Sequence, residues 1–523
     1  MIRIAKLWLA VLVLTACSGE REHAVVEAEM DREQPATIDW IDGSVEEAFA
    51  AAAREGKPLF LYWGAEWCPP CHELKATIFQ RPEFIRQSRQ FIMVYLDGDS
   101  ERAQQYAERF SVMGYPTVII FDTAGTELTR IPGGMNIQQY VGVLDLALNA
   151  MRPVATLLED LSEGKSLSAA DWKLLAYYSW WQDRGHALGD ETLEQVAPLL
   201  AASCPAELAV EKSLLQMLAV QAWLVDADRD EDQAAQHRAT VDRVLADARL
   251  AQENLGSFMM AGDVMVEYLS MGDENALAAA IQGLLRGVID DPRMPVLTRI
   301  DALQGWVAVS LAASAPDAGL APESQAWLRQ QLTAVRSTLD SYQLHAGLNG
   351  IWQAYYHAGM PEQARASLEE GIRLSDQPYY FMADLAYFET QLGNGESAMS
   401  WYQQAWQAAE GPATRQQWGV NYLEALVTFA PEDGAAISGT ARLLLEELSG
   451  QRDAIHQRTA RELREMSRLL LAWAGEAPQE EARQQALASL REQMRDICEP
   501  LETRPDVCDS FLVAVAAPGD NAT

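Results

Sequence analysis

A short apolar run leads directly into a pair of cysteines in the stretch PLFLYWGAEWCPPCHELK, residues 58–75. The apolar residues 58–63, bounded by Gly64, predict a buried β-strand, and residues 71–79 predict a helix. Cys68 and Cys71 therefore stand where a buried strand passes into a helix. This placement constrains the fold more than any other feature of the chain.

The spacing of the two cysteines is compatible with several kinds of site. A C-x-x-C pair is typical of dithiol redox sites, while C-x-x-C-H, completed here by His72, is also the attachment signature of c-type haem. A haem site needs a distal ligand and a mainly helical domain, and a zinc site needs further Cys or His residues nearby. A structural disulfide across so tight a loop is strained and easily reduced. The context favours dithiol chemistry without haem, metal or other cofactor, and predicts that His72 is a surface residue of the first helical turn.

Strands and helices alternate between residues 37 and 150. Besides 58–63, strands are predicted at 91–97, 117–122 and 127–133, the last two forming a hairpin across residues 123–125. Helices are predicted at 45–55, 101–110 and 136–149. Strands interleaved with helices predict an α/β domain.

Trp67-Cys68-Pro69-Pro70-Cys71, placed between strand and helix, resembles the W-C-x-x-C motif of the thioredoxin family. Met113-Gly114-Tyr115-Pro116-Thr117 precedes a strand, as the family's cis-proline segment does, and Gly133 or Gly134 stands where the family keeps a glycine beside its substrate groove. The lead-in to the cysteines looks most like periplasmic thioredoxin-like domains of bacterial disulfide reductases. The resemblance covers residues 37–150 and implies a thioredoxin fold and thiol–disulfide exchange on proteins, as a reductase rather than an oxidase.

The two cysteines are expected to have different roles. Cys68 stands at the start of a helix, where unpaired N–H groups and the helix dipole stabilise an anion, so it is the predicted nucleophile. Cys71, one turn later, is the predicted resolving cysteine. The resemblance implies a substrate groove bordered by Trp67, Tyr115, Pro116 and Gly133.

One position departs from the family pattern. Thioredoxins carry a buried aspartate six residues before the first cysteine, and this chain has Tyr62 there. A buried tyrosine is a poor base at neutral pH. Proton transfer during the resolving step is therefore expected to rely on Glu66, Glu73 or water.

After Met151 the pattern becomes entirely helical, with apolar residues spaced by three and four to the end of the chain. Ser168-Ala-Ala-Asp171 resembles a capping box and predicts a helix start. Residues 345–412 repeat with a period of 34, which resembles the tetratricopeptide repeat. The matched positions are Gly359 and Gly393, Ala364 and Ala398, Leu368 and Tyr402, Gly371 and Ala405, and Pro378 and Pro412. The resemblance implies that 151–523 is a helical-repeat solenoid docking a partner protein; the alternative is a generic helical bundle.

The N-terminus has the features of a targeting segment. Residues 1–16 combine early positive charge with an apolar run too short to span a bilayer, as in a signal peptide. Residues 14–17 resemble the lipobox of bacterial lipoproteins, which implies lipidation of Cys17; an ordinary signal with an accidental cysteine is the alternative. Ser18, in place of an aspartate, favours the outer over the inner membrane. Residues 17–36 are predicted to be an acidic tether to the first domain.

The charge composition argues against two classes of binding partner. The chain of 523 residues carries 75 acidic and 40 basic residues, a net charge of −35, which argues against nucleic acid or an anionic membrane surface as partner. Contact with a membrane is expected through the lipid alone. In an oxidising compartment, Cys498 and Cys508 are expected to form a disulfide, and Cys204 is expected to be a buried apolar thiol or a residue at a helix start.

These patterns together predict a lipid-anchored periplasmic thiol–disulfide oxidoreductase acting on protein thiols and disulfides. A thioredoxin fold (37–150) is followed by a tetratricopeptide-like helical solenoid (151–523) that docks an unknown protein. The alternative, from another functional class, is a non-catalytic scaffold in which the thioredoxin fold and the repeats are binding modules.

Overall fold

A computed structural model describes residues 37–41, 44–112, 114–149, 151–183, 185–315, 318–449, 455–476, 480–501 and 504–513. The predicted signal peptide, the acidic tether and Cys17 lie outside these residues. All described residues belong to the same unit of the chain. We call the part up to residue 149 the α/β domain and the part from residue 151 onwards the helical region.

A five-stranded sheet forms the centre of the α/β domain, in the order β1-β3-β2-β4-β5. Strand β3 pairs in parallel with β1 and β2, and β4 pairs antiparallel with β2 and β5. The predicted strands and the hairpin are thereby confirmed, while β1 is too short for a sequence pattern. The strands are β1 (Trp40–Ile41), β2 (Leu59–Gly64), β3 (Ile92–Asp97), β4 (Thr117–Phe121) and β5 (Glu127–Ile131).

The helices of the domain start where local chemistry favours it. Ser44 and Glu47 form a capping box at the start of the first helix, and Gly56, with a positive φ of 67°, caps its C-terminal end. The second helix begins at Pro69, earlier than the predicted residue 71, because proline fits the first helical position. It ends at Leu74, and a π-helical turn, Lys75–Phe79, continues the segment. The helices are α1 (Val45–Glu55), α2 (Pro69–Leu74), α3 (Pro82–Ser88), α4 (Glu101–Arg109) and α5 (Ile137–Leu148).

Both faces of β2 are buried, which explains its continuous apolar sequence. Phe60 and Tyr62 point to the side covered by the π-helical turn, α3 and α5. Leu59, Leu61 and Trp63 point to the other side, covered by α1 and α4. Because the strand is fixed on both faces, the residues that follow it, including Cys68, start from a rigid element.

Among the described residues beyond Ile131, every regular element is a helix. The predicted capping box of Ser168 and Asp171 is confirmed at the start of α7. Within the described ranges, no helix has both the length and the apolar character needed to cross a membrane. The α-helices are α6 (Val154–Ser162), α7 (Ala169–Ala176), α8 (Leu193–Ser203), α9 (Ala209–Val225), α10 (Ala234–Ala246), α11 (Ala248–Glu253), α12 (Leu255–Leu269), α13 (Glu274–Asp290), α14 (Val296–Ala312), α15 (Pro322–Arg336), α16 (Leu344–His357), α17 (Pro361–Leu374), α18 (Pro378–Gln391), α19 (Gly395–Ala408), α20 (Pro412–Phe429), α21 (Gly434–Leu448), α22 (Gln457–Glu476), α23 (Glu481–Cys498) and α24 (Val507–Ser510).

Helices α16 to α19 pack in sequential order, and α17 and α19 begin 34 residues apart. Gly371 on α17 lies close to α18, since a Cβ atom there would stand 2.4 Å from Phe381. The small residue allows the two helices to approach. This is the segment in which the sequence repeats.

The helical region lies against the α/β domain at two places that concern the cysteines. Helix α16 packs against α2, and α22 packs against α4. Helices far apart in the sequence are thus brought to the edge of the sheet where β2 ends.

Candidate active site

Cys68 and Cys71 are joined in a disulfide at the start of α2. Cys68 is the N-cap residue, and its Sγ accepts a hydrogen bond of 3.2 Å from the main-chain N–H of Cys71. Pro69 and Pro70 occupy the first turn, where a missing N–H costs little. Both cysteines are buried: Cys68 is 2% exposed and Cys71 is 0% exposed.

The predicted groove residues border two cavities. Tyr115, Pro116 and Gly133 line a cleft of about 800 Å³ between the α/β domain and the helical region. Trp67 instead lines a smaller cavity of about 290 Å³ beside Cys68, which Tyr115 also lines. The peptide bond between Tyr115 and Pro116 is cis.

Trp67, the residue before the nucleophile candidate, is held from several directions. Its indole N–H donates to Asp99 Oδ2 at 2.8 Å. The Arg458 guanidinium lies 4.7 Å from the centre of its ring, and Tyr380 stacks on it at 6.1 Å between ring centres, with an angle of 17° between the planes. The side chain is therefore fixed by one residue of the α/β domain and two of the helical region.

The carbonyl group of Trp67 is also bound. His345 on α16 lies with its Nε2 atom 2.8 Å from that oxygen. A carbonyl oxygen can only accept, so Nε2 carries the proton and Nδ1, 2.8 Å from the Ser375 hydroxyl, accepts when the ring is neutral. Burial lowers the pKa of His345 to about 4, which keeps the ring neutral near pH 7.

A buried ion pair fastens the helical region to the α/β domain at this point. Arg458 Nη1 lies 2.9 Å from Asp99 Oδ1, and the two side chains are 6% and 11% exposed. Thr414 donates its hydroxyl hydrogen to the same carboxylate, and Gln417 accepts from the Arg458 guanidinium. The charge of each partner is thereby compensated, as burial requires.

Glu66 and Glu73, the predicted proton-transfer residues, have different environments. Burial works to raise the pKa of Glu66, but the hydrogen bond and charge of Lys75, whose Nζ is 2.8 Å away, bring that pKa below its ordinary value. Glu73 lines the larger cleft, and burial raises its pKa. Its carboxyl group shares a hydrogen bond with Asp301 on α14, whose pKa burial and the Glu73 charge raise.

Two predictions about the neighbours of the cysteines have different outcomes. Tyr62 is buried, its hydroxyl has no hydrogen-bond partner among the described residues, and burial raises its pKa, which agrees with its dismissal as a base. His72 lies in the first turn of α2, as expected, but it is less exposed than the expected surface residue. Its ring is partly buried against His345, with 4.8 Å between ring centres, because α16 covers this side of α2.

The remaining cysteines lie elsewhere. Cys498 and Cys508 form a disulfide with 2.07 Å between the sulfurs, linking the end of α23 to α24. Cys204 follows α8 as a buried free thiol, and burial raises its pKa to about 11. Within the described ranges, no group of three His, Cys, Asp or Glu residues is arranged to hold a metal ion.

Asp99, His345, Tyr380 and Arg458 were not predicted as site residues. The last three are separated from Trp67 by several hundred residues, and they stand in ordinary amphipathic helices. No local motif marks them, so only the packing of the helical region against α2 and α4 reveals their position.

Comparison with known proteins places the similarity in the α/β domain. Residues 45–148 match the family model described as a thioredoxin-like domain. The thiol:disulfide interchange protein DsbD of Yersinia pestis (strain Pestoides F) is 31% identical over 94 residues, 17% of this chain and 16% of the relative. DsbD of Cronobacter sakazakii (strain ATCC BAA-894) is 32% identical over 109 residues, 20% of this chain and 18% of the relative. The chain thus spans about a sixth of the length of the curated relatives it matches.

Two solved structures are also similar. A thioredoxin from Thermus thermophilus is 22% identical, with a TM-score of 0.20, covering 21% of this chain and 88% of that one. A DsbH oxidoreductase is 23% identical, with a TM-score of 0.21, covering 25% of this chain and 95% of that one. The match to the family model and the observed order of elements show a thioredoxin-like α/β domain followed by a largely helical region.

Proposed function

We propose that the protein is a thiol–disulfide oxidoreductase that acts on protein disulfides through Cys68 and Cys71. One observation carries the proposal: the two cysteines are bonded to each other at the start of α2, inside a thioredoxin-like domain. The name of the relatives, thiol:disulfide interchange protein, supports it.

In the proposed reaction the reduced form attacks first through Cys68. Its thiolate, stabilised by the N–H of Cys71, forms a bond to one sulfur of the substrate disulfide and releases the other sulfur as a thiolate, which takes up a proton. Cys71 then loses its proton and attacks Cys68 Sγ. The bond between Cys68 and the substrate sulfur breaks, and that sulfur leaves as a thiolate, which takes up a proton. Two electrons pass to the substrate, and the bond between Cys68 and Cys71 forms. We propose reduction rather than oxidation as the physiological direction.

Of the two predicted proton-transfer residues, the pKa directions favour Glu73. A carboxyl group with a raised pKa exchanges protons closer to neutral pH than one with a lowered pKa. Glu66 is bound to Lys75, whereas Glu73 lines the cleft that contains the proposed groove. The proposed exchange uses the dithiol itself, with no haem, metal or other cofactor.

We propose that the protein acts in the periplasm, anchored through lipid on Cys17, at the outer rather than the inner membrane. The signal-like residues 1–16 and the lipobox-like residues 14–17 support this location. Nucleic acid is not a proposed partner, because the net charge of −35 repels it.

The helical region is proposed to be a tetratricopeptide-like solenoid, with its clearest repeats at 345–412, that docks a partner protein. The 34-residue spacing of α17 and α19 supports the repeat. His345 and Tyr380 already contact the α/β domain, so a partner would bind the helices on another side.

The burial of both sulfurs favours one alternative, a non-catalytic scaffold whose thioredoxin-like domain binds other proteins without exchanging disulfides. The test is dithiothreitol-driven reduction of a cystine-containing unfolded peptide by the full chain and by its Cys68→Ser variant. We expect catalysis by the unmodified chain and none by the variant. Equal rates with both proteins, at the level of dithiothreitol alone, would support the scaffold.

A further inference from the structure

Helices α18, α20 and α22 lie over the cavity beside Cys68. Tyr380, Gln417, Arg458 and Arg461 of these helices line the 290 Å³ cavity together with Cys68. We call these four residues the roof. Since Cys68 is only 2% exposed beneath it, a substrate disulfide reaches the sulfur through this cavity or after the roof moves.

The roof is fixed by interactions that resist opening. Arg458 forms the buried ion pair with Asp99, and separating the two would leave both charges without their partner. Tyr380 and Arg458 lie against the Trp67 ring, and His345 binds the Trp67 carbonyl next to the roof. A protein surface approaching Cys68 from outside would have to break these contacts.

The small cavity lies next to the larger cleft. Pro70 and Tyr115 line both spaces and so stand between them, and only the small cavity is lined by Cys68. The cleft of about 800 Å³ runs along Pro116 and Gly133 on one side and the helical region, including Met259 and Met294, on the other. A space of about 800 Å³ has room for a short extended chain segment or a small molecule, and not for a folded domain.

We propose that the roof restricts the substrates to disulfides in extended, unfolded segments or in small molecules, and that Tyr380 and Gln417 are specificity-determining residues. This inference rests on the proposed thiol–disulfide exchange. Both kinds of substrate present a disulfide that no folded surface surrounds. One kind is an unfolded protein, and the other is a low-molecular-weight disulfide. The exchange itself follows the two steps given above, with two electrons moving from Cys68 and Cys71 to the substrate.

The test compares single-turnover oxidation of the reduced full chain by three disulfides. The first is a small protein with one surface disulfide, the second is a variant of that protein unfolded in the same buffer, and the third is glutathione disulfide. The first two share the same cystine and flanking sequence, so only folding differs. The rate is followed by acid quenching, alkylation and mass analysis of Cys68 and Cys71.

We expect the folded probe to react at least about tenfold more slowly than the unfolded probe, because the folded surface clashes with the roof. Glutathione disulfide and the unfolded probe distinguish the two sources: whichever reacts faster identifies the favoured one. Equal rates for the folded and unfolded probes would overturn the inference while leaving the proposed function intact. If none of the three disulfides oxidises the cysteines, the proposed function is wrong and the inference falls with it.

Tyr380→Ala provides a second measurement. Removing the stacked ring widens the cavity, so the ratio of the rate with the folded probe to the rate with the unfolded probe should rise severalfold. Tyr387→Ala is the matched control, since this tyrosine is on the same helix and 46% exposed. An unchanged ratio of folded to unfolded rates in Tyr380→Ala would remove Tyr380 from the specificity-determining residues.

Discussion

The sulfur of Cys68 is positioned by the main chain of its own helix. The N–H of Cys71 donates to it, and the two prolines between the cysteines keep the first turn in shape. The sequence was sufficient to predict that these two cysteines stand together between a buried strand and a helix, because the W-C-x-x-C pattern and the strand before it are local features; their separate roles stay a prediction. The contacts of the flanking Trp67 with Asp99 and Arg458 were not predictable, because they depend on tertiary packing.

Replacing the resolving cysteine should trap the exchange intermediate. In Cys71→Ser, Cys68 still attacks, but release is blocked, so mixed disulfides between the chain and unfolded cystine peptides should accumulate. Non-reducing gels after acid quenching measure them. Cys68→Ser is the matched variant and should give none. Equal trapping by the two variants would contradict the assignment of roles.

Tyr62→Phe tests whether the tyrosine has replaced the family's aspartate as a base. The hydroxyl is buried without a partner among the described residues, and burial raises its pKa. Its removal should leave the exchange rate within about twofold, and stability unchanged or raised by about 1 kcal/mol. Urea unfolding and single-turnover exchange are the measurements. A tenfold loss of rate with stability retained would instead show that the hydroxyl takes part in proton transfer.

At the scale of elements, the strands and most helices of the α/β domain were predictable to within a few residues. Their periodicity and caps, such as Ser44 with Glu47, are encoded locally. The π-helical turn after Leu74 and the burial of His72 were missed. His72 lies against α16, and nothing in the sequence indicates that α16 packs against α2.

Helix α18 carries a carboxyl group that should make stability depend on pH. Burial raises the pKa of Asp384 to about 7 from its ordinary value of 3.8, and the Trp352 indole N–H donates to it at 3.1 Å. The unfolded chain loses this proton near pH 4 and the folded chain near pH 7. The contribution of protonated Asp384 to the free energy of unfolding is therefore fully present below about pH 4, and it is lost as the pH rises to about 7.

Asp384→Asn removes that titration and keeps an oxygen that accepts from Trp352. Relative to the unmodified chain, the free energy of unfolding of the variant should increase progressively between about pH 4 and pH 7 and reach a plateau of roughly 4 kcal/mol above pH 7. Chemical unfolding across this pH range measures the difference. Glu396→Gln, an exposed acid on α19, is the control and should give no such trend. A constant difference at every pH would contradict the raised pKa.

At the scale of the whole molecule, the sequence predicted an α/β domain followed by helices, but not that the helices cover the cysteines. The contacts responsible join Trp67 to His345, and Asp99 to Thr414 and Arg458. Apolar periodicity identifies a helix and its buried face, yet not which distant element that face meets. The domain boundary near residue 150, the lipid anchor and the docked partner remain predictions.

The proposed activity requires that Cys68 and Cys71 exchange electrons with a disulfide in the intact chain. The most direct measurement mixes the reduced full-length protein with one equivalent of an unfolded cystine peptide, quenches with acid, alkylates free thiols and maps the peptides. We predict that Cys68 and Cys71 become linked and that two peptide thiols appear for each bond formed between them. Cys204 should still be free, and Cys498 should still be bonded to Cys508. A peptide disulfide that stays intact beside two alkylated cysteines would contradict the account.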